Sequence, residues 1–294
     1  MRGQGTAFGA ISVVNGIASG RGVTLSIGLK TDATVELSQG SGGWSTSING
    51  RPVLSRLAVE VVRIVLKSRA GEQKDWIGRI ETRSEIPIGT GLKSSSSSSV
   101  AIALATLAAL GDGDYDPNDV LNFSVEASLS AGVSITGALD DAASCLNGGI
   151  NHADNLGRRL IRSEPLESPL RVVIKVPRER SRRAMLRLDF VRRFSKLADL
   201  AFDTSAGGDP WGAMVLNGIV YSSVLGYDTG PAMRALDLGA LGSGLSGTGP
   251  SVSAVFGRGA DEAIELLRKD WERDGSRVIV TESNNERGRM VRLD

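Results

Sequence analysis

The chain has 294 residues, 41% of them apolar and 23% charged, with 34 basic side chains against 33 acidic ones. Such a length and composition describe a globular protein with a sizeable core, and the balanced charge singles out neither nucleic acid nor a membrane surface as a partner. A single cysteine, Cys145, and a single histidine, His152, exclude an internal disulfide, a Cys/His zinc site, and Ser-His-Asp or Cys-His catalysis within one chain.

Chemistry must then rest on carboxylates, Lys or Arg, hydroxyls, backbone amides or a hard cation. No apolar run approaches the roughly 18–20 residues of a membrane span. The opening residues lead into a Gly-interrupted mixture and not a signal-peptide core, so the expected location is cytoplasmic. Thirty-seven glycines against six Phe, three Tyr and four Trp predict many tight turns, or places where backbone approaches a ligand closely.

In chain order, residues 23–37 alternate apolar and polar side chains and predict strands with one buried face. Asn49-Gly50 predicts a hairpin turn. Leu57, Val61, Ile64 and Val65 recur at helical spacing over residues 55–67, with Gly71 as a stop. Residues 76–86 read as a strand ended by Pro87, and residues 100–110 as an apolar helix closed by Gly111. Asp116-Pro117 starts a helix towards Ser130, and a Gly-rich passage follows up to Gly149. A change of character at residues 154–157 divides the chain into domains 1–155 and 156–294. The second half reads as a strand (170–176), a basic helix (181–200), a helix (211–225), a Gly-rich loop (239–250) and a strand (252–256). An amphipathic helix carrying Ile264, Leu267 and Trp271 follows, then a last strand (277–281). Strands and helices mix without strict alternation, which predicts an α+β fold.

Residues 87–99 are the most informative stretch: Pro-Ile-Gly-Thr-Gly-Leu-Lys and then six serines. Composition alone reads as a flexible linker or a phosphosite cluster as readily as a functional loop. Context favours a third reading, because the serines run unbroken into a helix that needs burial on nearly all sides. A serine at its start is a favoured N-cap. A helix start offers unpaired amides and a positive dipole end for phosphate. Glycines let the loop close around an anion, and hydroxyls can add hydrogen bonds or a magnesium ligand. It is not a Walker A loop, since Lys93 follows Gly91-Leu92.

Three other features stand out. Residues 245–251, Leu-Ser-Gly-Thr-Gly-Pro-Ser, precede a strand. Residues 136–141, Thr-Gly-Ala-Leu-Asp-Asp, set two acids after a glycine, also the pattern of a helix N-cap and its neighbour. Arg178, Arg180, Arg182, Arg183, Arg187, Arg192 and Arg193 crowd one stretch, either as a solvated helix face or with one of them reaching the carboxylate of an acidic substrate. His152 and Cys145 read as structural.

Residues 87–99 resemble the GHMP kinase signature, a proline, glycines, Gly-Leu-x-Ser-Ser and an alanine-rich helix. The resemblance implies a loop around the triphosphate of ATP, formed by Pro87, Gly89, Gly91, Leu92, Lys93, Ser94, Ser95, Ser96 and Ser97. Lys93, where many members have Gly or Ala, and the long serine run depart from the pattern. Residues 245–251 resemble the family's C-terminal Ser-Gly-x-Gly-Pro motif, which brings Gly247 and Gly249 to the site. In this family an Asp lies beside the attacking hydroxyl as base or orienting charge. Counting from Gly137 favours Asp140, counting back from Gly148-Gly149 favours Asp141, and both are candidates with Asp140 preferred. Glu126 resembles the magnesium-binding Glu and, with Ser94 or Ser95, would supply oxygen ligands to Mg2+.

Residues 7–23 resemble the opening of archaeal shikimate kinases, typically Asn-Ala-x-Ala-Thr-Gly-Lys-Gly, from which Gly16, Ser19 and Arg21 depart. Residues 136–141 and 216–223 look like the same branch. The resemblance implies a two-domain GHMP kinase fold, with an N-terminal mixed α/β domain and a C-terminal ferredoxin-like α+β domain, as a monomer or homodimer. The implied activity is phosphorylation of a shikimate hydroxyl to shikimate 3-phosphate with ATP and Mg2+, a step towards chorismate. The alternatives are a homoserine- or mevalonate-type GHMP kinase, or a non-catalytic ligand-binding protein of the same fold. A serine hydrolase is disfavoured by the lone histidine and the lack of a Gly-x-Ser-x-Gly elbow.

Overall fold

Two long antiparallel strands, β1 (Arg2–Val14) and β2 (Arg21–Gln39), carry the rest of the chain in a computed structural model that describes residues 1–71, 75–179, 181 and 186–293. On the far side of β2, β5 (Trp76–Ser84) pairs antiparallel, and β3 (Trp44–Ile48) lies parallel to β5. β4 (Arg51–Pro52) folds back on β3 through Asn49-Gly50. Their φ angles of 50° and 77° are the left-handed pair an Asn-Gly hairpin needs. β6 (Ile150–Asp154) joins the first residues of β2 and carries β7 (Arg159–Glu164) through a turn at residues 155–158. Finally β12 (Arg289–Leu293) returns to the outer edge of β1, completing an eight-stranded sheet among the described residues.

Four helices pack against this sheet and one another: α1 (Arg56–Ala70), α2 (Ser94–Leu110), α3 (Pro117–Ser130) and α4 (Leu139–Asn147). Ser55 caps α1 by accepting from the Ala58 amide, and Asp116 caps α3 by accepting from Asn118. α2 is buried from Val100 to Ala109. It sits so close to β1 that a Cβ on Gly3 or Gly5 would come 2.2 Å from the carbonyl oxygens of Ala105 and Ala101. The β1 glycines and α2 alanines therefore serve one purpose, contact between backbones.

The second sheet is antiparallel, in the order β11 (Arg277–Glu282), β8 (Arg171–Val176), β10 (Val252–Phe256), β9 (Gly242–Leu245). Its side chains alternate between two cores, as strand periodicity requires. Val172, Ile174 and Val255 pack with Ile11, Val13, Leu25 and Ile27 of the first sheet. Val173, Ala254 and Phe256 pack with Ile264, Leu267 and Trp271 of α9 (Asp261–Glu272) and with Ala232 and Ala235 of α8 (Gly230–Asp237). Strand, helices, strand, strand, helix, strand in this order is the ferredoxin-like arrangement expected of the C-terminal half.

Several expectations need correction. α2 starts at Ser94, not Val100, and no serine caps it; the N-cap is Lys93, in the left-handed region at φ 62° without a side-chain bond. Tertiary burial overrides the modest helix propensity of serine. Ser96, Ser97 and Ser99 are buried, with Ser97 bonded to the Ala7 carbonyl and Ser99 to that of Ser96. The Gly-rich passages at 131–149 and 239–250 contain α4 and β9. The expected basic helix at 181–200 is instead α5 (Leu188–Val191), a 3-10 turn (Arg192–Phe194) and α6 (Ser195–Ala206), which buries Ala198, Ala201 and Phe202. Arg180, Arg182 and Arg183 lie outside the described residues. The helix expected at 211–225 is α7 (Pro210–Leu225).

Gly5→Ala forces its methyl into the α2 backbone and should lower the unfolding free energy by about 1–3 kcal/mol in urea titrations. Leu54→Ala, at a side chain 94% exposed, should change it by less than about 0.5 kcal/mol.

Candidate active site

The first three amides of a helix have no acceptor within it, and at the head of α2 these belong to Ser94, Ser95 and Ser96, which line a cleft of about 210 Å³. Lys93, turned left-handed, sends its side chain back into the same space. The preceding loop is fastened to the second Gly-rich loop: Ser246 Oγ donates to the Gly91 carbonyl (2.8 Å) and the Ser251 amide donates to the Thr90 carbonyl (3.1 Å). Gly91 has φ 90°, and a Cβ there would lie 2.1 Å from the Ser246 oxygen. Only glycine lets the loops meet.

The turn after β1 is tied to both. Asn15 Nδ2 donates to the Gly247 carbonyl (2.7 Å), and the Asn15 amide donates to Asn217 Oδ1 on α7 (2.8 Å). Tyr221 donates its hydroxyl to the Asn15 carbonyl (2.8 Å) and accepts from the Ala18 amide (3.1 Å). Burial pushes the Tyr221 hydroxyl pKa up.

α4 supplies the acids. Its N-cap, Ala138, is left-handed at φ 55° and offers no side-chain cap. Asn155 Oδ1 instead accepts from the Asp140 amide (3.0 Å), while Thr24 Oγ1 donates to the Asp140 carbonyl (2.6 Å). Lys93 Nζ lies 2.9 Å from Asp141 Oδ1, an ion pair by distance without the alignment of a hydrogen bond. Burial works against the Lys93 ammonium, but Asp141 and then Asp140 outweigh it and hold its pKa above the ordinary value. The Asp140 carboxyl, 4% exposed, is raised to about 7, first by burial and then by the charge of Asp141.

The structure brings Gly89, Gly91, Lys93, Ser94, Ser95, Ser96, Asp140, Asp141 and Gly247 to one cleft. Pro87, Leu92, Ser97 and Gly249 do not line it. Leu92 and Ser97 are buried behind the loop, the Pro87 carbonyl accepts from Thr90 Oγ1, and Gly249 packs on Tyr227. Glu126 is exposed on α3 and does not line the cleft, and no cluster of three His, Cys, Asp or Glu that could hold a metal occurs among the described residues. His152 sits elsewhere, against Ser205 and edge-on to Phe202, with burial pushing its pKa down to about 4. Cys145 is buried, and burial pushes its thiol up. Arg178 donates to the Gly275 carbonyl and Arg187 pairs with Asp189.

Asn15, Asn155, Thr248 and residues 133–136 also line the cleft; Asn15, Thr136 and Thr248 fall within motifs read from the sequence, but the sequence marks none of these as a site residue. Asn15 and Asn155 each adjoin a glycine turn, a signal visible only once both turns are known to meet. A second cavity of about 220 Å³ adjoins the first through Ser94, Ser95 and Val133, with walls of Ile48, Leu57, Ile80, Ile88 and Ile102.

Residues 56–149 match the family model for the GHMP kinases N terminal domain. A shikimate kinase from Methanothrix thermoacetophila is 38% identical over 295 residues, covering 100% of this chain and 98% of the relative. One from Methanosarcina mazei is 39% identical, covering 97% and 95%. The chain belongs to the archaeal-type shikimate kinases of the GHMP superfamily. At the level of fold, a homoserine kinase from Cytophaga hutchinsonii superposes with a TM-score of 0.75 at 20% identity, over 98% of this chain and 97% of that one. GHMP kinases, the family to which this chain belongs, take their phosphoryl group from ATP.

The raised pKa of Asp140 is also a statement about stability. A folded chain that keeps a proton to about pH 7, when the unfolded chain releases it near pH 3.9, is most stabilised by this group at low pH. The stabilisation fades as pH rises through that window and levels off above 7. In ligand-free protein, Asp140→Asn should remove this slope in denaturant titrations between pH 4.5 and 7.5. Lys93→Met should cost about 3–5 kcal/mol at pH 8 by stranding a buried charge, and less at pH 5.

Proposed function

We propose that this enzyme transfers the γ-phosphoryl group of ATP to a hydroxyl of shikimate, giving shikimate 3-phosphate and ADP. The observation that carries the reading is the convergence of an open helix N-terminus, a buried lysine and a buried carboxyl of raised pKa on one cleft of a chain that aligns end to end with shikimate kinases.

The apolar second cavity suits adenosine, and residues 1–155 would carry most of the nucleotide site, with 156–294 supplying the loop at 246–251. The amides of Ser94, Ser95 and Ser96, with the open backbone of Gly89, suit the phosphates. The Ser94 and Ser95 hydroxyls are the groups that would hold a magnesium ion here, which would supply charge neutralisation for the transferred phosphoryl group. Glu126, exposed and outside the cleft lining, has no part in this reading.

Asp140 takes the proton of the attacking hydroxyl as that oxygen bonds to the γ-phosphorus and the bond to the bridging oxygen of ADP breaks. A carboxyl of pKa about 7 is matched to that exchange near neutral pH. Asp141 keeps Lys93 charged, and Lys93 steadies the negative charge of the transferred group. Asn15, Asn155 and Thr136 offer polar atoms to an acceptor with several hydroxyls. The reading goes with a cytoplasmic enzyme; among the described residues no helix is long and apolar enough to cross a membrane.

A coupled ADP-release assay should show turnover with shikimate and not with homoserine or mevalonate. Turnover on either of those alone would overturn the acceptor, and ATP binding without any turnover would overturn catalysis. Asp140→Asn should lower kcat on the order of 10²–10⁴-fold and leave the KM for ATP near its original value.

A further inference from the structure

The N-terminus of α4 has no cap of its own, and its remedy comes from another element. Ala138, the N-cap, has no side-chain acceptor to offer. The acceptor is Asn155, in the turn between β6 and β7, which takes the Asp140 amide at 3.0 Å. Asn155 is 2% exposed, lines the cleft, and is itself anchored by its amide to the Gly20 carbonyl at 2.8 Å. Its Nδ2 and the Asp140 Oδ2 border the same small space over Gly22, and against the larger upward push of burial the asparagine favours the ionised carboxyl.

Two glycines make this approach possible. A Cβ on Gly16 would lie 2.5 Å from Asn155 Nδ2, and one on Gly22 would lie 2.0 Å from Asp140 Oδ2 and 3.2 Å from Asn155 Nδ2. Any side chain at either position would displace the asparagine or the acid. A purely structural cap would need no such clearance on the carboxyl side.

The other groups facing Asp140 have separate duties. Asp141 and Cys145 share its helix, Lys93 comes from the head of α2, and Tyr221 from α7. β2 presents Gly22 and Thr24 to α4, and β6 presents Asn151, none of which titrates. His152 on β6 points the other way, to Ser205.

We propose that Asn155 is the positioning residue for Asp140, fixing the acid's backbone through Oδ1 and steadying its carboxylate through Nδ2. The inference rests on the reading of Asp140 as proton acceptor. It assigns to a turn 15 residues away the control of where the acid points and at what pH it is ready.

The test uses the full chain with 13C-labelled aspartate, following the Asp140 carboxyl by NMR without substrates, alongside pH profiles of kcat/KM. In Asn155→Ala the titration of Asp140 should move up by about one pH unit, the scale of a hydrogen bond lost from a charged group. The acidic limb of kcat/KM should follow it, and kcat should fall about tenfold to a hundredfold at unchanged KM for ATP. Asn155→Asp keeps an acceptor for the Asp140 amide, which guards against a simple folding loss, and should move the titration up at least as far by adding a like charge. An Asp140 titration unmoved in both variants would overturn the proposal. An Asp140→Asn enzyme with undiminished kcat would sink the underlying catalytic reading instead, and the NMR titration separates the two failures.

Discussion

One buried ammonium facing two adjacent carboxyls is the constraint around which this molecule is arranged. Lys93 stands at the head of α2 and Asp140 and Asp141 at the head of α4, so two positive helix ends and one cation meet two acids in one cleft. Charges removed from water must find partners or neutralise. Asp141 finds Lys93. Asp140 is left to burial and to its neighbour's charge, and its pKa rises to about 7. The chemical readiness of the site is a residue of imperfect charge satisfaction, made tolerable by the rigidity around it.

That rigidity has identifiable sources. Lys93 and Ala138 are both held in the left-handed region, at a cost of about 1 kcal/mol or more each. Both positions start helices that aim at the cleft, and the surrounding packing holds them there. α2 lies on β1 backbone to backbone, so the loop at 87–93 is seated on a buried strand of the first sheet. The loop at 246–251 is bonded to the first loop through Ser246 and to the N-terminal strand through Ser12 and Gly247. A movement of any one of these segments would have to break bonds to the other two.

Strand alternation from Val23, the Asn-Gly hairpin, the helix starts at Ser55 and Asp116 and the stop at Gly71 were all legible because each depends on neighbours within a few residues. The two glycine loops were legible as motifs for the same reason. β1 was not, because it is buried on both faces and interrupted by glycines whose purpose is the contact with α2. α4 was not, because its only cap is Asn155, from outside the helix. Glu126 could be placed on a helix from the sequence but not on a face, and the structure turns it to solvent.

The sequence by itself determined the chemistry available, the absence of a Walker lysine and the family, since residue types and short spacings are local properties. Only the tertiary structure decided which glycines line the cleft and which touch another loop. It also decided that the six serines are helix and not linker, and that Asp140 and Asp141, identical in kind and adjacent in the chain, differ in environment. Helix rotation turns successive side chains about 100° apart, so one acid meets Lys93 while the other is buried against Gly22 and Asn155. That difference arises from elements far away in the sequence, which no local pattern records.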